Sequence, residues 1–198
     1  MYRSRKKAAA EGAAIWYLKQ LVTGRAVRYT LGANIRQAFD PAAYPYQRER
    51  SFLAYTCTDG HKRIDGVFDI WVEKNRIVDG RFQKLSEYSR IYEHPPDNLG
   101  EFTMSVLVWE GNQKPIWCEN ILGELVPGAR ILCTLSGNLS RMRSSLSKKN
   151  GVGGQPYWIV TFQVLVLFGG TKMQARLQWN EGKQQRQGPI SIIPNSTF

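Results

Sequence analysis

The chain has 198 residues, 42% of them hydrophobic, with a formal net charge of +11 and an isoelectric point of about 9.8. This length allows one domain, or a domain with a substantial extension, and the apolar content suffices for a buried core. The excess of lysine and arginine favours an anionic macromolecular partner over a small acidic substrate. The excess is uneven, because residues 1–50 hold ten basic and three acidic residues, whereas residues 51–100 have a net charge of −1.

The cysteine and histidine content gives no metal-binding or disulfide pattern. Cys57, Cys118 and Cys133 are scattered without C-x-x-C spacing, and His61 and His94 are the two histidines. Free thiols are typical of a reducing compartment, and Cys133 lies on an apolar row, where we expect a buried thiol. We therefore predict no metal, no disulfide and no cofactor.

Motifs for catalysis and for membrane insertion are also missing from the sequence. The patterns G-x-x-x-x-G-K-[ST], H-E-x-x-H and G-x-S-x-G do not occur. The start resembles a signal peptide superficially, but Glu11 and Lys19 leave its apolar run too short. No run approaches the roughly 20 apolar residues of a membrane span. We expect a protein that is not an enzyme and lies inside the cell, in the cytoplasm, the nucleoid or a virion.

The first 74 residues predict a basic extension. Helix-forming residues fill positions 7–22, and short strands are indicated at 26–31, 52–58 and 67–72. Four cations stand at the beginning of the chain: Arg3, Arg5, Lys6 and Lys7. They form either an arm that binds nucleic acid or a solubilising tail. The sequence leaves open whether this extension is an independent domain or wraps on the rest.

Two strands separated by an aromatic loop follow the extension. The strands are predicted at 75–82 and 102–109, and the loop between them carries Tyr88, Arg90 and Tyr92. Aromatic side chains interleaved with cations are typical of surfaces on which bases stack. Ordinary surface positions are the alternative interpretation.

Two long strands come next, at 129–139 and 157–168, because apolar and polar residues alternate along both of them. The second strand also has Ile159, Leu165 and Leu167 on its otherwise polar row. This pattern predicts that the strand is covered on both faces towards its end.

A basic loop, residues 141–156, joins these two strands and contains no acidic residue. Its cations are Arg141, Arg143, Lys148 and Lys149. A flexible tip with this charge is costly to order and gains little by folding on itself. We therefore predict a finger that becomes ordered against a polyanion, where phosphate contacts release counterions. A mobile, solvated loop is the alternative.

The order of these elements resembles that of a known family. Counted from residues 75–82, the pattern is that of a five-stranded OB barrel. That first strand resembles the opening strand of bacterial-type single-stranded DNA-binding proteins, and residues 126–143 are similar to their Lys-Gly-x-x-Val-x-Val-x-Gly-x-Leu-x-x-Arg segment. Trp109 and Trp117 fall where that family places two base-stacking aromatics. The resemblance covers roughly residues 75–175.

The resemblance implies a mainly β fold with an OB-type barrel over residues 75–179. The residues on either side are predicted from their own composition to form a helix-containing extension over 1–74 and a flexible tail over 180–198. The resemblance also implies non-catalytic binding and protection of single-stranded nucleic acid, DNA rather than RNA, in replication, recombination or mobile-element transfer, and we expect a homo-oligomer. The residues predicted to stack on bases are Trp109, Trp117, Tyr88 and Tyr92. The residues predicted to contact phosphates are Arg90, Arg141, Arg143, Lys148 and Lys149, with Arg3, Arg5, Lys6 and Lys7 as a basic arm.

Two other functions fit the sequence. A viral or mobile-element structural nucleoprotein, such as a jelly-roll coat subunit with a basic arm, is compatible with the length, the arm and the number of predicted strands. A strand-gripping subunit of a larger nucleoprotein complex would account for the extension, which has no counterpart in the family.

Overall fold

The computed structural model describes Lys7 and residues 10–12, 24–168 and 172–195. Within these residues the chain forms thirteen strands and two 3₁₀ helices. The strands are β1 (Arg25–Ala26), β2 (Thr30–Ala38), β3 (Tyr55–Thr56), β4 (Lys62–Val72), β5 (Ile77–Val78), β6 (Gln83–Tyr92), β7 (Glu101–Trp109), β8 (Ala129–Asn138), β9 (Ser147–Asn150), β10 (Pro156–Leu167), β11 (Gln174–Glu181), β12 (Gln184–Pro189) and β13 (Ser191–Pro194). The 3₁₀ helices are Pro45–Leu53 and Ser140–Ser145.

The strands form open, antiparallel sheets. The first sheet has the order β13-β8-β7-β2-β4-β3, and the second has the order β12-β11-β10-β6, with β9 also paired to β10. A two-stranded ribbon joins β1 and β5. The mainly β fold is therefore confirmed. The five-stranded OB barrel is not confirmed, because none of the described sheets closes on itself.

One long hairpin is folded across both sheets. Strand β6 pairs with β10 from Gln83↔Leu167 to Tyr92↔Trp158, and β7 pairs with β8 from Glu101↔Asn138 onwards. One arm of the hairpin consists of β6 followed by β7, and the other consists of β8 followed by β10. Each arm passes from one sheet to the other, because β6 and β10 belong to the second sheet and β7 and β8 belong to the first. The two long strands expected from the alternating pattern are thus present as β8 and β10, but they lie in different sheets.

The core lies between the two sheets, which pack face to face. From β10 the inward row is Val160, Phe162, Val164 and Val166, each at most 2% exposed. The opposing first sheet contributes a row of buried side chains: Ala33, Met104, Val106, Cys133 and Leu135. Burying each large aliphatic or aromatic side chain stabilises the fold by roughly 1.5–3 kcal/mol. The strict alternation of β10 therefore sets which face of the second sheet is inside.

A second, smaller cluster covers the outer face of the first sheet. It joins Phe68 and Leu107 to Cys118, which comes from the segment between β7 and β8. That segment adds to the edge of β4, because the Phe68 amide donates to the Ile116 carbonyl at 2.9 Å. Burial raises the pKa of the Cys118 thiol to about 12 and that of Cys133 to about 11. Both thiols are buried and free, as the apolar row predicts for Cys133.

The extension and the tail are part of the same sheets as the middle of the chain. Strands β2, β3 and β4 precede residue 75, yet β2 pairs with β7 through Thr30↔Trp109 to Ala33↔Val106. Strands β12 and β13 fall in the expected flexible tail, yet they pair with β11 and β8. Ile192 of β13 packs against the main core, which explains why a Gln- and Pro-rich stretch forms strands here.

The beginning of the chain lies mostly outside the described residues. Of the helix predicted at 7–22, Lys7 and residues 10–12 are described, and they are helical. The Lys7 ammonium lies 3.8 Å from the Glu11 carboxylate. Arg3, Arg5 and Lys6 of the predicted basic arm lie outside the described residues.

Candidate nucleic-acid interface

The two tryptophans predicted to stack on bases are held by different parts of the protein. Trp109, at the end of β7, is half-buried, and its indole N–H donates to the Gln113 carbonyl at 2.7 Å. Trp117 lies beside β4, where the Arg50 guanidinium stands 4.2 Å from its ring centre. Tyr46 contacts the same indole edge-on at 5.6 Å. Both indoles thus have partners within the chain.

The predicted aromatic loop is strand β6, and Tyr88, Arg90 and Tyr92 lie on the row of this strand that faces the first sheet. Tyr88 lies 6.3 Å from Phe162 between the sheets, and burial raises its pKa to about 12. Tyr88 is half-buried and packs against core rings, and its stacking on a base stays a prediction. Tyr92 and Arg90 share the same row: the Tyr92 hydroxyl donates to the Leu99 carbonyl at 3.0 Å, and burial raises its pKa. The Arg90 guanidinium donates to a main-chain carbonyl at 2.7 Å.

The predicted finger, residues 141–156, is an ordered part of the sandwich. Met142 in the 3₁₀ helix is fully buried, and β9 pairs with β10. The Arg143 guanidinium donates to main-chain carbonyls of the loop before β7, and Lys148 lies 5.5 Å from the centre of the Trp158 ring. Arg141 and Lys149 are exposed. The charge pattern alone did not reveal this packing, because the two residues that pack in the core, Met142 and Leu146, are isolated among basic and polar neighbours.

A buried ion pair anchors the tip of this segment. Asp59 is 4% exposed and accepts two hydrogen bonds from the Arg63 guanidinium, at 2.6 and 2.5 Å. The same residue's carbonyl accepts a hydrogen bond from the Val152 amide at 3.0 Å. The hydrogen bonds from Arg63 hold the pKa of the Asp59 carboxyl below its ordinary value, and the partner carboxylate raises the pKa of Arg63.

We expect Asp59→Asn to destabilise the protein by about 2 kcal/mol at pH 7, because Arg63 then keeps its charge without a paired carboxylate. The folded-state pKa of Asp59 is depressed, so its contribution is present above the unfolded value near 3.9 and is lost as the pH falls. The free energy of unfolding in urea should therefore be lower for Asp59→Asn than for the wild type at pH 7, and this difference should be smaller at pH 3. Glu49→Gln, at an exposed carboxylate, is the control and should have no effect. An equal difference at both pH values would contradict the role of the ion pair.

A different set of cations gathers at one end of the sandwich. At this end β2 and β6 begin and β7 and β10 end, and Trp71 and Phe168 meet across the sheets at 6.3 Å. We call it the basic end. Nine basic residues define it: Arg25, Arg28, Lys74, Arg76, Arg81, Lys84, Lys114, Arg130 and Lys172. The acidic residues there are Glu73, Asp79 and Glu110, which leaves a clear positive excess.

Aromatic rings support several of these cations. The Arg76 guanidinium stands 4.6 Å from the centre of the Phe82 ring, and Tyr29 has Arg28 at 5.1 Å and Arg130 at 5.4 Å. Glu73 and Glu110 are paired at 2.8 Å with Lys114 and Arg130 respectively. Five exposed cations of the basic end have no carboxylate partner in the described ion pairs: Arg25, Arg28, Arg76, Arg81 and Lys172.

The continuous described part of the chain begins at the basic end. The continuous described body starts at Gly24, next to β1, and residues 1–23 contain five basic residues and one acidic residue. The sequence alone does not predict the basic end, because its nine cations come from separate segments of the chain. The sequence does contain one indication of it: residues 74–84 hold four basic residues and one acidic residue. This local excess does not show in the net charge of residues 51–100, which is −1.

The predicted phosphate contacts of the finger lie at the opposite end. Nine-residue strands such as β7 separate the two ends by roughly 27 Å. Arg141 and Lys149 share their end with acidic residues such as Glu93, Asp97 and Glu181. Within the described residues, the structure therefore does not bring the predicted tryptophans and the finger together into one site.

A cavity of about 940 Å³ opens between the edge of β6 and the first sheet. Its charged lining is balanced: Arg36, Arg63 and Arg90 against Glu87, Glu93 and Glu101. It contains no surplus of cations for an anion.

Among the described residues, no group of three His, Cys, Asp or Glu side chains is placed to hold a metal ion. No described helix has the length and apolar character to cross a bilayer. Comparison of the chain with protein-family models, with curated proteins and with solved structures finds no match.

Proposed function

We propose that this protein binds single-stranded nucleic acid without catalysing a reaction, and that the basic end is the surface that contacts phosphates. The observation that carries the proposal is the excess of nine basic over three acidic residues at this end. Residues 1–23, which precede it in the sequence, add five basic residues and one acidic residue to the chain. Phosphates that replace counterions near such a surface give affinity without sequence preference.

Half-buried aromatic rings at the same end support binding to an unpaired strand. Tyr29, Phe82 and Trp109 lie among these cations. Bases of a single strand can stack on such rings, whereas the bases of a duplex are already stacked on each other. The resemblance to bacterial-type single-stranded DNA-binding proteins favours DNA, in replication, recombination or mobile-element transfer. The proposal does not depend on an OB barrel, because its contacts come from the ends of strands and from loops.

A structural nucleoprotein is the second candidate. Two stacked antiparallel sheets with a basic segment at one end are compatible with a coat subunit that packages a nucleic acid. The hairpins β7–β8 and β10–β11–β12 stay within single sheets, so the connections do not require a jelly roll. Light scattering separates the candidates, because a coat subunit forms a shell or another large assembly with nucleic acid.

Titration of fluorescent 20-nucleotide single-stranded and duplex DNA at 50 and 200 mM salt tests the proposal. With about six phosphate contacts on a single strand, the affinity should fall by roughly 10²–10³-fold between these two concentrations. The single strand should bind more tightly than the duplex at both. Preference for the duplex, or binding that does not change with salt, would contradict the proposal.

A further inference from the structure

The outer face of the second sheet has the composition of an interface. Seventeen residues of β6, β10, β11 and β12 point away from the core. They are Gln83, Leu85, Glu87, Ser89, Ile91, Ile159, Thr161, Gln163, Leu165, Leu167, Gln174, Arg176, Gln178, Asn180, Gln185, Gln187 and Pro189. This set is called the outer face below. No other described segment covers it, and most of its residues are exposed or half-exposed.

Charged residues are depleted on the outer face. It carries two, Glu87 and Arg176, although 22% of the whole chain is charged and solvated surfaces are about 25–35% charged. Five aliphatic side chains and seven amides occupy most of the remaining positions. The most exposed of these aliphatic side chains, Leu85, is 47% exposed. Depletion of charge together with aliphatic side chains is typical of the centre of a protein–protein interface.

We propose that a second copy of this chain packs on the outer face and forms a symmetric dimer. Four strands about 4.8 Å apart and about eight residues long cover a plane on the order of 500 Å², and its corrugated accessible surface is larger. A standard interface buries about 800 Å² on each partner. The plane of the outer face is below this standard size, so a dimer formed on it alone belongs to the small, weak class of interfaces. The apolar residues on the β10 row, which predict a strand covered on both faces, are explained by this partner.

The arrangement of the outer face is self-complementary. Cross-strand pairs Leu85↔Leu165 and Ile91↔Ile159 stand at the two ends of the β6–β10 ladder, with the polar pair Ser89↔Thr161 between them. A twofold axis along β10 would place β6 of one copy over β11 of the other. Glu87 lies on β6 and Arg176 on β11, offset by two residues along β10. The axis therefore brings the carboxylate of each copy towards the guanidinium of its partner, and neither group is in a described ion pair.

Charge reversal tests this contact on the full chain. Analytical ultracentrifugation at 5–100 µM, on the order of typical weak-dimer concentrations, should show a wild-type dimer. Glu87→Arg alone and Arg176→Glu alone each place like charges opposite each other, so each should weaken the dimer at least tenfold. The double variant E87R/R176E restores opposite charges and should recover most of the association. Both positions are exposed, so the fold should tolerate the changes.

Leu165→Asp and the control Glu49→Arg, on an exposed site of the first 3₁₀ helix, complete the test. Leu165→Asp should abolish the dimer, whereas Glu49→Arg should leave it unchanged. A wild-type protein that stays monomeric at 100 µM would overturn the proposal, as would a dimer that none of the outer-face variants weakens. Loss of oligonucleotide binding by Leu165→Asp with the dimer intact would also overturn it, and would assign the outer face to nucleic acid instead.

Discussion

Replacement of Arg25, Arg76 and Arg81 by alanine is expected to weaken binding of an unpaired oligonucleotide by roughly 100-fold at 0.1 M salt. Each lost phosphate contact removes about 0.7 of a released counterion, which is about fivefold at this salt concentration. The slope of the logarithm of the affinity against the logarithm of salt should decrease by about 2. All three side chains are exposed and outside the core, so the stability of the fold should not change. Fluorescence polarisation over a series of salt concentrations measures both quantities.

The matched control removes the same number of cations from the opposite end. Arg141, Lys148 and Lys149 are exposed, and their replacement by alanine lowers the net charge by the same three units. A general effect of net charge would weaken binding equally in both triple variants. Contact at the basic end predicts less than a threefold change in the control. A larger loss of affinity in the control variant than in the basic-end variant would contradict the proposal and would indicate that residues 141–156 contact the phosphates.

The alternation of apolar residues was sufficient to predict the strands but not their partners. Strand β10 was predictable because Val160, Phe162, Val164 and Val166 repeat every second residue, and this pattern fixes the inward face. The same pattern contains no information on where the chain turns from one sheet to the other. The folded hairpin depends on contacts between residues far apart in sequence, such as Phe102 and Phe162, whose rings lie 4.9 Å apart. A barrel and a sandwich therefore share the same local signals.

The candidate site was less predictable than the fold, for a related reason. Interleaved aromatic and basic residues look alike in sequence whether they face a ligand or the core. Tyr88 and Arg90 are two residues apart on β6, so they lie on one row, and that row faces inward. The basic end has no local pattern, because residues such as Arg28, Lys74 and Arg130 become neighbours only after the sheets have formed.

Gly32→Ala is expected to destabilise the protein by at least about 3 kcal/mol, a large part of a typical total stability of 5–15 kcal/mol. Gly32 lies on the central strand β2, and a Cβ atom there would stand 2.2 Å from the Asp69 carbonyl oxygen and 2.3 Å from the Phe68 ring. The first contact is with the backbone of β4, so a change of rotamer cannot relieve it. Strand β2 would have to move away from β4, and its ladder with β7 would be disturbed at the same time.

Thermal unfolding should therefore show a melting temperature about 10 °C lower for Gly32→Ala than for the wild type. Gly188→Ala is the matched control: it lies on the edge strand β12, and its Cβ would meet the Trp179 side chain at 3.3 Å. That contact can be relieved by a small shift of the indole, so the control should lose less than about 1 kcal/mol. Because β2 follows directly after Arg28, movement of β2 also displaces the basic end. A Gly32→Ala protein that kept both its stability and its oligonucleotide affinity would show that β2 does not hold these cations in place.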